Sequence, residues 1–175
     1  MLDIEKPTSQ GQDFYPDRHE PHVFPCWYAN TTAADYFNVA AMNQKGEVMV
    51  FEDLTAISAW GSWHLVNGLL KDGENPLTAV QRRLLKTAGY TSPEWLYLGS
   101  FMLNATQPDV TGHFFAAHNV QLTTQTSLAN SQTCAIRWVP PRELKYALLD
   151  GRIGIMSYAV TASLTLLMAN GSPPM

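Results

Sequence analysis

The stretch Gly68-Leu69-Leu70-Lys71-Asp72-Gly73-Glu74-Asn75-Pro76-Leu77-Thr78-Ala79-Val80-Gln81-Arg82-Arg83-Leu84-Leu85-Lys86-Thr87-Ala88-Gly89-Tyr90 decides how the rest of the chain is read. Its first part, bounded by Gly68 and Gly73, has the composition of a loop. Asn75 is a good helix N-cap, and Pro76 suits the first helical position, where its missing N–H is not needed. Leu77, Val80, Leu84 and Ala88 then recur at spacings of three and four, which places them on one apolar stripe. Gly89 stands where a helix closes in the left-handed conformation. The spacing therefore predicts a loop followed by one amphipathic helix.

Working outward, Trp60 to Val66 reads as a strand entering the loop. Further upstream, Phe37-Asn38-Val39-Ala40-Ala41-Met42 and Val48-Met49-Val50-Phe51 flank Asn43-Gln44-Lys45-Gly46-Glu47, the pattern of a hairpin turn. Residues 1–36 carry Pro7, Pro16, Pro21 and Pro25 and are expected to form an extended arm, because each proline removes a donor and constrains its predecessor. Downstream, Trp95-Leu96-Tyr97-Leu98, His113-Phe114-Phe115-Ala116-Ala117 and Ile136-Arg137-Trp138-Val139 are strand-like, and Thr123 to Thr133 is a polar loop without a charge. Pro140-Pro141 precede a short helix over about 142–149, Asp150-Gly151-Arg152 makes a turn, and a last helix covers about 157–169. Mixed strands with one helix in mid-chain and helices at the end predict an α/β or α+β sandwich, with residues 37–175 as its domain.

Composition bounds the function. At 175 residues the chain is one ordinary domain with an appendage. Charged residues are only 15%, against a usual ~25%, which excludes a disordered, highly charged protein and suggests a surface used in a subunit interface, so a homodimer is expected. A net charge of −4 argues against a basic nucleic-acid binder. Cys26 and Cys134 are too few for a disulfide scaffold and fit a reduced, cytoplasmic setting. The N-terminus lacks a basic region leading into an apolar stretch, and the apolar run 153–169 is short of the ~20 residues of a membrane span, so neither secretion nor membrane insertion is expected.

The loop–helix unit resembles the Nudix box. That signature is Gly, five residues, Glu, seven residues, then Arg-Glu-apolar-x-Glu-Glu-x-Gly-apolar, and here Gly68, Glu74, Arg82, Leu84, Gly89 and Tyr90 stand in register with it. Trp63-His64-Leu65-Val66-Asn67-Gly68 is similar to the family's Trp-x-Leu-Pro-x-Gly approach, with Val66 in place of proline. The strand at His113, the Val139-Pro140 junction, the Glu143-Leu144 helix and Asp150-Gly151-Arg152-Ile153 resemble the ADP-ribose pyrophosphatase branch. The resemblance covers about residues 37–169 and implies an α/β/α sandwich with a mixed β-sheet. It also implies a structural pair between Glu74 and Arg82.

Three departures change the chemistry. In the family, the carboxylates of Arg-Glu-x-x-Glu-Glu hold Mg²⁺ or Mn²⁺ against a diphosphate, because positions i, i+3 and i+4 share one helix face and a hard cation needs gathered oxygen ligands. Those positions are Arg83, Lys86 and Thr87 here. A divalent ion about 5 Å from one fixed cation, at an effective dielectric near 20, is repelled by on the order of 5 kcal/mol, before the lost ligands are considered. The loop that is acidic in the ADP-ribose pyrophosphatases is the uncharged Thr123 to Thr133. The expected protein therefore has no catalytic set and no metal or other cofactor. Its cationic face, with Arg83, Lys86, Thr87 and the neighbouring His64 as candidate ligand-binding residues, suits a nucleoside diphosphate held without hydrolysis. Two other functions stay open: an active hydrolase of a nucleoside diphosphate derivative that uses carboxylates outside the box, and a dimeric interaction module.

The remaining conspicuous residues read as structural. His19 and His22 lie in the proline-rich arm without a cluster of ligands around them. His113 and His118 bracket an aromatic strand, and Trp27, Tyr28, Trp60 and Trp63 read as packing residues ahead of adenine-stacking ones. Neither cysteine has the context of a nucleophile.

Overall fold

A strand that is apolar at nearly every position must be covered on both faces, and Phe37 to Met42 is such a run. The computed structural model describes residues 34–55, 61–104, 107–126, 131 and 133–170. In it, β1 (Tyr36–Ala41) lies inside a four-stranded mixed sheet of order β4-β1-β7-β6, where β4 is Val66–Leu69, β6 is Glu94–Asn104 and β7 is Gln107–His118. β1 runs parallel to β7 and antiparallel to β4, and β6 runs antiparallel to β7. Alternate residues of β1 serve opposite cores. Phe37, Val39 and Ala41 join Ala79, Val80, Leu84 and Ala88 of α1 (Pro76–Ala88), whereas Ala40 joins Tyr158, Ala162 and Leu166 of α3 (Met156–Asn170). Helices thus cover both faces, which is the expected α/β/α sandwich. The arm over residues 1–33, with His19, His22, Cys26, Trp27 and Tyr28, lies outside the described residues, as do Trp60 and residues 127–130 and 132.

A second, antiparallel sheet has the order β3-β2-β9, built from Trp63–His64, Val48–Asp53 and Cys134–Val139. This corrects the hairpin expected from residues 37–51. The turn forms as read, with Gly46 at φ 73° donating to the Asn43 carbonyl and the Asn43 N–H donating to the Glu47 carbonyl at 3.0 Å. Beyond it, however, the two strands share a single bridge, Met42 to Val48, and then enter different sheets. The strand expected over 60–66 is likewise two: β3 pairs with β2, the chain turns at Leu65, and β4 pairs with β1. Gly68 belongs to β4 rather than to the loop, and the Phe37 ring lies where its Cβ would be.

Two strand-like patches downstream, at 95–98 and 113–117, are the inner ends of a long hairpin, β6–β7. Register shifts between Tyr97 and Gly99 and between Met102 and Asn104 break the alternation that reveals strands in a sequence. β5 (Tyr90–Thr91) and β8 (Gln121–Leu122) form a separate two-residue pairing, α2 is Pro141–Ala147, and the expected last helix is α3. Among the described residues, no helix is long and apolar enough to cross a membrane.

Trp63 is 1% exposed, with the guanidinium carbons of Arg152 and Arg137 at 4.3 and 5.2 Å from its ring centroid. Its indole N–H donates to Glu52 at 3.2 Å, while one oxygen of Glu143 receives Arg137 at 2.8 Å and Arg152 at 3.2 Å. Charge and ring are mutually satisfied, so Trp63 ties the second sheet to the segment before α3 and has no face left for a ligand.

Candidate functional site

Local chemistry sets both ends of α1. The Asn75 side chain accepts from the N–H groups of Leu77 at 2.9 Å and Thr78 at 3.2 Å, and Gly89 adopts φ 81° with its N–H on the Leu85 carbonyl at 2.9 Å. Replacing Asn75 by Ala removes that cap and lowers the unfolding free energy by about 1 kcal/mol, to be read from urea midpoints. Val80, Leu84 and Ala88 of the expected stripe are buried, but Leu77 is 39% exposed and Ala79 takes its place on the inner face.

The loop before α1 is held to the helix by an ion pair. Glu74 receives Arg82 through Nη2 at 2.8 Å and Nε at 3.2 Å, and its other oxygen accepts the Lys71 N–H at 3.2 Å. These hydrogen bonds, Arg82's first, hold the Glu74 carboxyl below its usual range. At the other end of α1 the uncharged loop docks onto the helix: Thr123 and Thr124 donate to the Gly89 carbonyl at 2.8 and 3.1 Å, and the Thr126 hydroxyl donates to the Thr87 carbonyl at 3.2 Å.

Arg83, the residue after Arg82 on α1, bonds to β4 instead of to the loop before the helix. Its Nε donates to the main-chain carbonyl of Asn67, on β4, at 2.8 Å. The side chain is half-buried, and burial is the main influence pulling its pKa down, opposed by Tyr158. An arginine nevertheless keeps its proton, so this flank of α1 carries a partly desolvated cation. No carboxylate pairs with it among the described residues. Lys86, one turn on, is exposed, and Thr87 is half-buried.

Asn67 links this cation to the opposite core. Its side-chain amide N–H₂ donates to the Leu65 carbonyl at 3.3 Å and also to the Tyr158 hydroxyl. Tyr158 is 3% exposed, and burial pushes its phenol far above the usual range, so it stays protonated. The His64 ring meets Tyr158 edge-on, with centroids 5.8 Å apart, and burial lowers the His64 pKa against the pull of Asp53. His64 is thus joined to the Arg83 flank through Tyr158 and Asn67. Motif spacing assigns Asn67 and Tyr158 no role of their own, although an asparagine within the apolar run Leu65 to Leu70 is a visible anomaly.

A cleft of about 270 Å³ lies on the far side of α1, lined by Gln81, Arg82, Leu85, Thr91, Ser92 and Trp95. Gln81 and Arg83 are two residues apart, which sets them on opposite flanks of a helix. The cleft therefore does not contain the cationic face. Among the described residues, no three His, Cys, Asp or Glu side chains gather in a metal-holding arrangement.

The fold and this loop–helix unit define a class. The family model for the NUDIX domain matches residues 32–157, and the chain belongs to that family. Solved structures agree on the fold. One, described as the crystal structure of an ADP compounds hydrolase, shares 15% identity at a TM-score of 0.58 over 79% of this chain and 72% of its own. Another, a MutT from work on Aliivibrio salmonicida and Vibrio cholerae, shares 14% identity at a TM-score of 0.56 over 77% of this chain and 98% of its own. No curated protein sequence matches the chain.

Proposed function

We propose that this Nudix-family chain binds an anionic, nucleotide-like diphosphate at the Arg83–Lys86 flank of α1 and does not hydrolyse it by the family's metal-dependent route. The observation that carries the reading is the half-buried Arg83 guanidinium, tethered by Nε to the Asn67 carbonyl and lacking a carboxylate partner among the described residues. The tether orients the fork, so its terminal nitrogens meet an incoming phosphate already placed. Guanidinium, ammonium and hydroxyl are a donor set unfit for Mg²⁺ or Mn²⁺, and we assign the chain no metal cofactor. Titration with ADP-ribose in EDTA, followed by calorimetry, is expected to give saturable heat. Absence of heat at millimolar ligand removes the proposal.

The hydrolase names of the structural neighbours favour one second reading, turnover by carboxylates outside the box. Assay of ADP-ribose and related diphosphates with Mg²⁺ and Mn²⁺, against a Glu74→Gln control, decides it. The low charge content further supports a homodimer, which sedimentation of the full chain tests, and the two cysteines favour a cytoplasmic setting.

A further inference from the structure

We propose that Asn38, Asn67 and Tyr158 enclose one ordered internal water between the four-stranded sheet and α3. Asn38 is 1% exposed, and both its amide nitrogen and its amide oxygen lack a hydrogen-bond partner among the described residues. A buried primary amide is rarely left in that condition, because desolvating it unpaired is costly. Asn38 stands directly opposite Asn67 in the β1–β4 register. The two side chains therefore project from the same face, with Cβ atoms roughly 5 Å apart.

Asn67 is 7% exposed, and its side-chain oxygen also lacks a partner. The orientation of that amide follows from its neighbours. Its nitrogen faces the Leu65 carbonyl, which only accepts, so the oxygen must be the orphan atom. Tyr158 accepts from the same nitrogen, and among the described residues its own O–H has no acceptor. On the other side, Phe114 pairs with Asn38 in the β1–β7 register and offers no polar group.

The unspent groups are two acceptor oxygens, on the side chains of Asn38 and Asn67, and three donor hydrogens, two on the Asn38 amide and one on the Tyr158 hydroxyl. That complement decides the occupant. Two amide oxygens repel an anion, the N–H and O–H donors repel a metal ion, and an apolar group leaves every one of them unpaired. A water molecule donates two hydrogen bonds and accepts two, so it serves both oxygens and two of the three donor hydrogens, and buried waters typically make about three such bonds. This water holds the Asn67 side chain, whose main-chain carbonyl receives Arg83, so Asn38 supports the cationic flank from beneath the sheet.

The inference does not depend on what Arg83 binds. A crystal structure of the full chain, at a resolution that shows ordered solvent, is expected to place a solvent peak about 2.7–3.2 Å from the Asn38 amide and the Asn67 oxygen. Side chains in mutual contact with no peak between them overturn the proposal, whether or not any variant folds. Thermal melting is the independent check. Asn38→Leu expels the water and strands Asn67 and Tyr158, so its Tm falls by roughly 3–8 °C, while Asn38→Ser keeps a donor and an acceptor and recovers at least half of the loss. In a dry site the leucine variant removes an unpaired amide and melts above the wild type, the opposite sign.

Discussion

On the proposed binding of a diphosphate, replacing Arg83 by glutamine is expected to lower ADP-ribose affinity at least about 100-fold, because two hydrogen bonds from a charged donor would be lost, each worth about 1.5–3 kcal/mol. Arg83→Lys retains the charge but not the fork. An ammonium cannot hold the Asn67 carbonyl through one nitrogen while presenting two more in a plane, so recovery is partial, within about 10-fold of the wild type. Calorimetry in EDTA reads both values. The fold tolerates either change, since the Asn67 carbonyl lies on β4, the outer strand of its sheet. A glutamine variant that binds within threefold of the wild type moves the ligand away from this flank altogether.

Gly89→Val is expected to cost about 3–4 kcal/mol, seen as a lower urea midpoint at unchanged slope. Two causes add. The residue sits at φ 81°, where any side chain is strained and a β-branched one most of all. Its Cβ would also collide with the Thr124 carbonyl, main chain that cannot step aside without releasing Thr123 and Thr124 from the Gly89 oxygen. Gly89 is therefore the seat of the uncharged loop as well as the end of α1. A loss below 1 kcal/mol would mean that the loop is not seated there.

Asn75, Pro76 and Gly89 act within a few residues of the helix they delimit, which is why α1 was legible with both ends in place. The Glu74–Arg82 pair spans one loop and two turns and follows from the same local geometry. Charge reversal at residues 83 and 86 needs only the helical period to be located on one face. Strand partnership is a different matter. The turn at Asn43 to Glu47 forms as its residues dictate, yet β1, buried on both faces, takes β4 and β7 as its neighbours, and β2 turns instead to β3 and β9.

What the chain's order of residues settled alone was the loop, the helix, the family and the sign of the charge on the box face, because each is written in residue types at fixed spacing: caps, helical period and motif register. The meeting of Asn38, Asn67 and Tyr158, and the tethering of Arg83 to a strand edge sixteen residues upstream, required the assembled sheet. Hydrogen bonds between distant segments carry no periodicity along the chain; they exist only once packing has brought the strands and α3 together and removed the water that would otherwise satisfy them.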